Sequence, residues 1–442
     1  MTEGEAIYFK RFLKVKYRTP QFYITAKVHK SPWKTRPIVS TSGSIMAYLS
    51  RWVDYNINQI ARKCPTYIKN SLQVKNELES IGKLPQNAVI MSADAVSMYT
   101  MIDTEHGLEI LTKYLREFEP DLFNSDAIIE ALGMVMRNNI LQFGDCYFEQ
   151  LSGTAMGTPV ACAYATLYYA YHERTVLLPQ FKDHLLYLKR FIDDALVILL
   201  LDPNKPMLLE TFKAAWPFGK LDWTFEPANP DINFLDLTIF RDESDSLITK
   251  TFEKPLNLHL YIPSHSAHPP GVLHGMIFGN LWRFKNQNSR RSDYLAVAKR
   301  FYSHLLARGY SEDKIKPIFL KAARIFEEKL LKQKENHRKQ QRCNEFELRK
   351  ERIFLHFQYH PKDVSRQRIQ TLFHNTCLST KNEHSLQCLQ DSSPPEGNGG
   401  TLTIKRATVA YSRAPNIRDK VSPSTLFQPP GLNVSDVMKD HM

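Results

Sequence analysis

The chain has 442 residues, enough for about three domains or fewer large ones, and 43% of it is apolar, which is ordinary for a globular protein. Its 58 basic and 46 acidic residues leave a net charge of +12, which favours a polyanionic partner, nucleic acid before membrane. No apolar run approaches the roughly 18 residues of a membrane-spanning helix, and the N-terminus has no apolar secretory core. The six cysteines form no paired framework, so the expected location is reducing: nuclear or cytoplasmic, not secreted.

Residues 1–80 mix short apolar segments with Lys and Arg and include the proline-punctuated "KVHKSPWKTRPIVS". From 86 to 245, strand-like runs ("NAVIMSAD", "LLYLKRF", "ALVILLL", "INFLDLTIF") alternate with helical patterns over 105–117, 124–139, 159–174 and 205–216. That alternation predicts an α/β core. Residues 270–333 read as mainly helical. The charged stretch 327–352 continues with helix-like periodicity, as well suited to a solvated face as to nucleic-acid contact. Around 378–400 the composition turns to Ser, Pro, Gly and Asn, the signature of a flexible linker, and the remaining tail is too short and polar for a domain. His374, Cys377, His384 and Cys388 lie close together, yet their spacing fits no zinc template well. No internal repeat is present.

Within the core region, "YLKRFIDDALVILL" places Asp193 and Asp194 inside an otherwise apolar strand-like run. Two adjacent carboxylates repel each other, and burying them costs several kcal/mol unless something compensates. A plain hairpin turn is one explanation, since Asp favours turns. The other needs a third acid, and "NAVIMSADAVSMYT" supplies Asp94 at the end of a second apolar run. Three carboxylates on adjacent strands could hold two divalent ions about 4 Å apart, with oxygen ligands suited to Mg²⁺ and Mn²⁺ possible. Asp103, Asp145 and Asp236 compete, each better read as a turn or cap residue. A third piece, "EQLSGTAMGTPVACAYATLYYAYHE", allows close backbone approach at Gly153 and Gly157 and starts a helix near Pro159. Ala161, Ala163 and Ala165 are expected to make one side of that helix thin enough for a base pair.

In this order the pieces resemble reverse transcriptases, and the wider pattern resembles the Penelope-like retroelement branch. The carriers are Lys27 to Ser40 ("KVHKSPWKTRPIVS"), "DAVSMYT", "QLSGTAMG", "KRFIDD" and "INFLDLTI", followed by "TFEKPLNLHLYIPSHSAHP", "RGYS", "FQYHP" and "VAYSRAPNIRD". Ala95 and Met98 depart from the usual Val and Leu, and the first helical portion before "KVHK" is reduced. The nuclease that typically follows is not found before Met442.

The resemblance implies a right-hand polymerase: fingers over 1–85, an α+β palm over 86–245, a helical thumb over 246–335, a basic helical connector over 336–377, then linker and tail. Asp94 and Asp193 would be the principal ligands of two Mg²⁺ ions, with Asp194 supporting. Arg36, helped by Lys27 and Lys30, would hold the incoming triphosphate through a planar fork. Gln150 and Gly153 would contact nucleotide or template, and Tyr99 would gate the sugar. "NFLDLTI" resembles the primer-grip hairpin, which would make Asn233 to Asp236 scaffolding rather than catalytic residues. Lys220 would donate a proton to pyrophosphate, although Lys205 and Lys213 lie in the same interval. The implied partners are an RNA template, a DNA primer and dNTPs. An inactive nucleic-acid-binding remnant and an RNA-copying RNA polymerase remain open alternatives.

Overall fold

The computed structural model describes residues 2–12, 16–27, 32, 34–226, 230–254, 257–269, 271–336, 352–359, 364–373, 375 and 406–412. After helix α1 (Glu3–Phe12), strands β1 (Gln21–Lys27) and β2 (Lys34–Ser40) pair antiparallel. Helix α2 (Ile45–Ala61) begins where the Ser44 side chain accepts from the Ala47 N–H, and it buries Val53, Ile57 and Ile60 at helical spacing. Helix α3 (Ser71–Ile81) is capped in the same way by Asn70.

The core of the first 259 residues is built on a four-stranded antiparallel sheet. It comprises β3 (Ala88–Ala95), β6 (Leu185–Phe191), β7 (Asp194–Leu200) and β8 (Trp223–Phe225), in the order β6-β7-β3-β8. Between β3 and β6 come α4 (Met98–Met101), α5 (Thr104–Phe118), α6 (Ser125–Arg137) and α7 (Ala161–His172). A π turn over Glu173–Leu177 then leads into α8 (Leu178–Phe181), and α9 (Leu208–Ala214) follows β7. The hairpin of β4 (Ile140–Phe143) and β5 (Cys146–Glu149) extends the first strands into a sheet ordered β2-β1-β4-β5.

Both faces of the central sheet are covered, which explains the almost unbroken apolar runs of β3 and β7. Met91, Ala93, Val197 and Leu199 pack with α2, α5, α6 and α7. Residues of the opposite parity, Ile90, Leu196 and Ile198, pack with α3 and with a three-stranded sheet of β9 (Asp231–Phe234), β10 (Leu237–Arg241) and β11 (Leu247–Thr251). The architecture is therefore mixed α/β of the α+β kind, with no parallel strand in the central sheet.

Chain contacts divide the protein into two compact units, Met1–His259 with Arg283–Phe301, and Leu260–Trp282 with Tyr302–Met442. Three helices follow β11: α10 (Val272–Gln287), α11 (Arg291–Ala307) and α12 (Glu312–Asn336). In the second unit Phe326 of α12 meets Phe278 and Trp282 of α10 edge to face or tilted. Farther on come β12 (Arg352–Gln358), α13 (Arg366–Phe373) and β13 (Arg406–Ser412).

Two expectations need correction. Helix-like periodicity gives way to a strand at Arg352, and the polar tail contributes β13, which pairs with β12 in parallel from Arg352↔Arg406 to Gln358↔Ser412. Pairing between distant segments outweighed local composition: Thr408, Val409 and Tyr411 suit a strand, and Val409 is buried. His374, Cys377, His384 and Cys388 lie outside the described residues.

Candidate active site

β3 and β7 run antiparallel in a register that sets Asp94 directly opposite Asp194. Side chains alternate along a strand, so both carboxylates leave the sheet on the face of Ile90, Leu196 and Ile198, at the end of the sheet. β6 and β7 join through the two-residue turn Ile192–Asp193, flanked by the pair Phe191↔Asp194. Ile192 is left-handed (φ 58°), a conformation that a β-branched residue adopts only when its surroundings impose it. The Ala95 N–H donates to the Asp193 carbonyl at 2.8 Å, so the turn is tied to β3 one residue beyond Asp94. The Ile192–Asp193 turn thus brings Asp193 and the first residue of β7, Asp194, to the strand end that carries Asp94.

Burial and the charges of Asp193 and Asp94 push the Asp194 carboxyl up to about 7, with Glu226 adding to them and Lys254 opposing. Glu226 follows β8 with its N–H on the Ser92 carbonyl, and Lys254 follows β11. Sequence reasoning passed over both, because β8 is too short for a periodic signal.

Tyr99 packs against the core beside this end of the sheet. Its hydroxyl lies 3.3 Å from the Cys162 thiol, and burial, that thiol and the charge of Asp193 hold the phenol strongly protonated. The loop before α7 is locked by its glycines. Gly153 (φ 81°) is buried against the backbone of Tyr99 and Thr100, where a Cβ would stand 3.0 Å from each. At Gly157 (φ 122°) a Cβ would fall 2.2 Å from the Val39 carbonyl oxygen. The Val39 N–H also donates to Met156 at 2.8 Å, so β2 is fastened to the start of α7. The thin helix face needs correcting: α7 is buried on nearly every side, Ala161, Ala163 and Ala165 included, and residues two apart do not share a helix face in any case.

Arg36 sits exposed in the middle of β2, opposite Thr25. Lys27 ends β1, and Lys30 lies outside the described residues. Gln150 donates its side-chain amide to the Ser152 carbonyl. Lys220 is brought to Asp103, whose carboxylate it meets at 3.0 Å, rather than to the three acids. That same Asp103 caps α5, Asp145 lies in the β4–β5 turn, and Asp236 lies in the β9–β10 turn.

Among the described residues no group of three or more His, Cys, Asp or Glu side chains forms a ready-made metal cage. Mg²⁺ does not require one. It is commonly held by one or two carboxylates, waters and substrate phosphates. Asp94, Asp193 and Asp194 offer hard oxygen donors, and the Asp194 carboxyl is raised by burial first and by the charges of Asp193 and Asp94 second, the part that a cation would offset. The donor set fits the ion in type and charge.

No family model matches the chain, and no curated protein matches it. Solved structures are similar at a distance. A telomerase from Candida albicans with the TWJ fragment of telomeric RNA shares 11% identity at a TM-score of 0.44, covering 73% of this chain and 63% of that one. The Candida tropicalis counterpart gives 11% and 0.40, covering 73% and 58%. A structure of an RNA-dependent RNA polymerase with dsRNA gives 13% and 0.38, covering 53% and 22%. The chain thus spans less than two thirds of each of these proteins. Such distant likenesses cannot carry an assignment, which rests on the site. Among the described residues no helix is long and apolar enough to cross a membrane.

Proposed function

We propose that the chain is an RNA-directed DNA polymerase of the Penelope-like type, extending a primer 3′-hydroxyl with dNTPs on an RNA template. The observation that carries the reading is the Asp94–Asp194 pair across β3 and β7, beside the Ile192–Asp193 turn. Metal-assisted phosphoryl transfer can be supported by this geometry, in which carboxylates meet at the end of a rigid sheet.

Asp94, Asp193 and Asp194 would hold Mg²⁺, which when bound activates the attacking hydroxyl and neutralises the triphosphate and leaving pyrophosphate. The protein's own groups bind and orient. Arg36 presents a planar fork to the triphosphate from β2, and the Gly157–Val39 contact fixes that strand relative to α7. The Tyr99 ring stands beside Asp193, where it can exclude a ribose 2′-hydroxyl. Lysines and arginines spread over the chain bind template and primer phosphates, so affinity should fall steeply with salt.

Primer extension on an RNA template, with dNTPs and rNTPs supplied separately, tests the reading. The expected result is Mg²⁺-dependent extension with dNTPs. Extension with rNTPs alone would make the chain an RNA polymerase, and template binding without extension would make it an inactive remnant. Supercoiled plasmid should stay uncut in Mg²⁺, since the polymerase site is built around a primer end and a triphosphate.

A further inference from the structure

Beneath the turn lies a buried ion pair that substrate cannot touch. Arg190 of β6 and Glu173 of the π turn have side chains 1% and 0% exposed. Arg190 Nε donates to Glu173 Oε1 at 2.7 Å and Nη2 to Oε2 at 3.0 Å, a two-pronged pairing. Nη2 also donates to the Thr166 carbonyl at 2.9 Å. Nη1 donates to the Ile192 carbonyl at 2.8 Å. Glu173 is held in turn by the Thr66 hydroxyl at 2.6 Å, and the Arg190 N–H donates to the Thr66 carbonyl at 2.7 Å.

The contact with Ile192 gives the cluster its meaning. The Ile192 carbonyl belongs to the peptide that joins the left-handed residue to Asp193. Arg190 holds that carbonyl from below, and Ala95 holds the next one, that of Asp193, from β3. Asp193 is therefore pinned by the backbone on both sides. A buried ion pair is a poor source of stability, because well-packed apolar residues of similar volume often stabilise as well or better. A π turn is likewise uncommon and frequently marks a functional place. Both features follow if the pair serves geometry.

We infer that Arg190, oriented by Glu173, is a positioning residue that holds the Ile192–Asp193 turn in its left-handed form and so aims Asp193 at the metal site. The inference rests on the polymerase reading above. It acts through three fixed directions of one guanidinium, which a lysine ammonium cannot reproduce while also filling the Glu173 carboxylate.

The test uses the full chain with Arg190→Lys and with the double variant Arg190→Met/Glu173→Met, which removes the pair without leaving a buried charge. Each is followed by thermal melting, by Mn²⁺ binding read by electron paramagnetic resonance, and by single-turnover extension at varied Mg²⁺. The double variant should melt near the wild-type temperature. Both variants should bind Mn²⁺ more weakly and need more Mg²⁺ for half-maximal rate, with kcat down roughly tenfold to a hundredfold. Template–primer affinity should be unchanged. A folded double variant with wild-type Mn²⁺ affinity and Mg²⁺ dependence would overturn the inference, and if Arg190→Lys does not fold the double variant decides alone. Failure of the polymerase reading looks different: wild-type protein would then fail to extend, while the Mn²⁺ comparison still reports on the turn.

Discussion

Two hairpins in this molecule share a turn design and put it to different use. β6 and β7 meet at Ile192–Asp193, β9 and β10 at Leu235–Asp236, and in each the bulky apolar residue is left-handed, with φ 58° and 54°. In the second hairpin the aspartate is satisfied by its surroundings. Its carboxylate accepts from the Gln287 side chain, and its carbonyl accepts from the Phe252 N–H at 3.0 Å. In the first, the backbone is tied down by Arg190 and Ala95, yet no hydrogen bond to the Asp193 carboxylate occurs among the described residues. Asp94 and Asp194 stand beside it instead. The same local sequence logic thus yields a fastener at one place and a charged, held but unquenched group at the other. What separates them is the company of other acids.

The sharpest way to break this comparison is to neutralise each aspartate in turn. Asp193→Asn or Asp94→Asn should lower extension by about a thousandfold or more, since charge held at a metal is the largest part of such catalysis. Template binding should persist. Asp236→Asn should keep most of the activity and lose at most about 1 kcal/mol of stability, since the amide oxygen can still accept from Gln287 but without the charge. Gel-based extension assays and melting curves read both, and comparable activity losses would erase the distinction.

Sugar choice comes next. Tyr99 stands beside the first hairpin, so Tyr99→Val should raise rNTP relative to dNTP incorporation, by roughly tenfold if a single steric contact sets the choice. An unchanged ratio in competition assays would assign the ring to the core alone. A smaller effect concerns stability without substrate. Mg²⁺ at ten times its dissociation constant should stabilise wild type by about 1.4 kcal/mol, and Asp236→Asn equally, but not Asp94→Asn. Melting with and without Mg²⁺ measures this, and an equal gain in all three proteins would move the ion elsewhere.

The smallest effect lies in the ground under the first hairpin. His172 precedes Glu173, stacks on Phe218 and contacts the Ala215 carbonyl at 2.7 Å, and burial holds its pKa below 6.5. Below pH 6.5 the unfolded chain takes up a proton that the folded chain resists. Stability from this group is therefore complete above pH 6.5 and is lost as pH falls toward the depressed folded value. Denaturant melts of wild type and His172→Gln between pH 7 and 5 should converge on acidification.

Much of the centre was legible because burial on both faces writes itself into composition. The runs that became β3, β6 and β7 and the patterns that became α5, α6 and α7 stand within a few residues of their expected places. The pairing of Asp94 with Asp194 was readable as two acids ending two apolar runs. Register and order were not, since only turn geometry and long-range pairing determine them. The Arg190–Glu173 pair left one signal that went unread. Strand parity puts Arg190 on the same face as buried Leu188, and an arginine there demands a partner. Nothing local names Glu173, which reaches the site through a π turn that periodicity does not foresee.

The β12–β13 pair has a practical consequence for anyone who shortens this protein. The two strands are joined side by side although their first residues, Arg352 and Arg406, are far apart in the chain. A stop codon placed after α13 removes one strand and strips the other of its partner. The remaining edge, "RIFLHFQ", is apolar enough to recruit a copy of itself, so such truncations should purify as aggregates even with the three acids untouched.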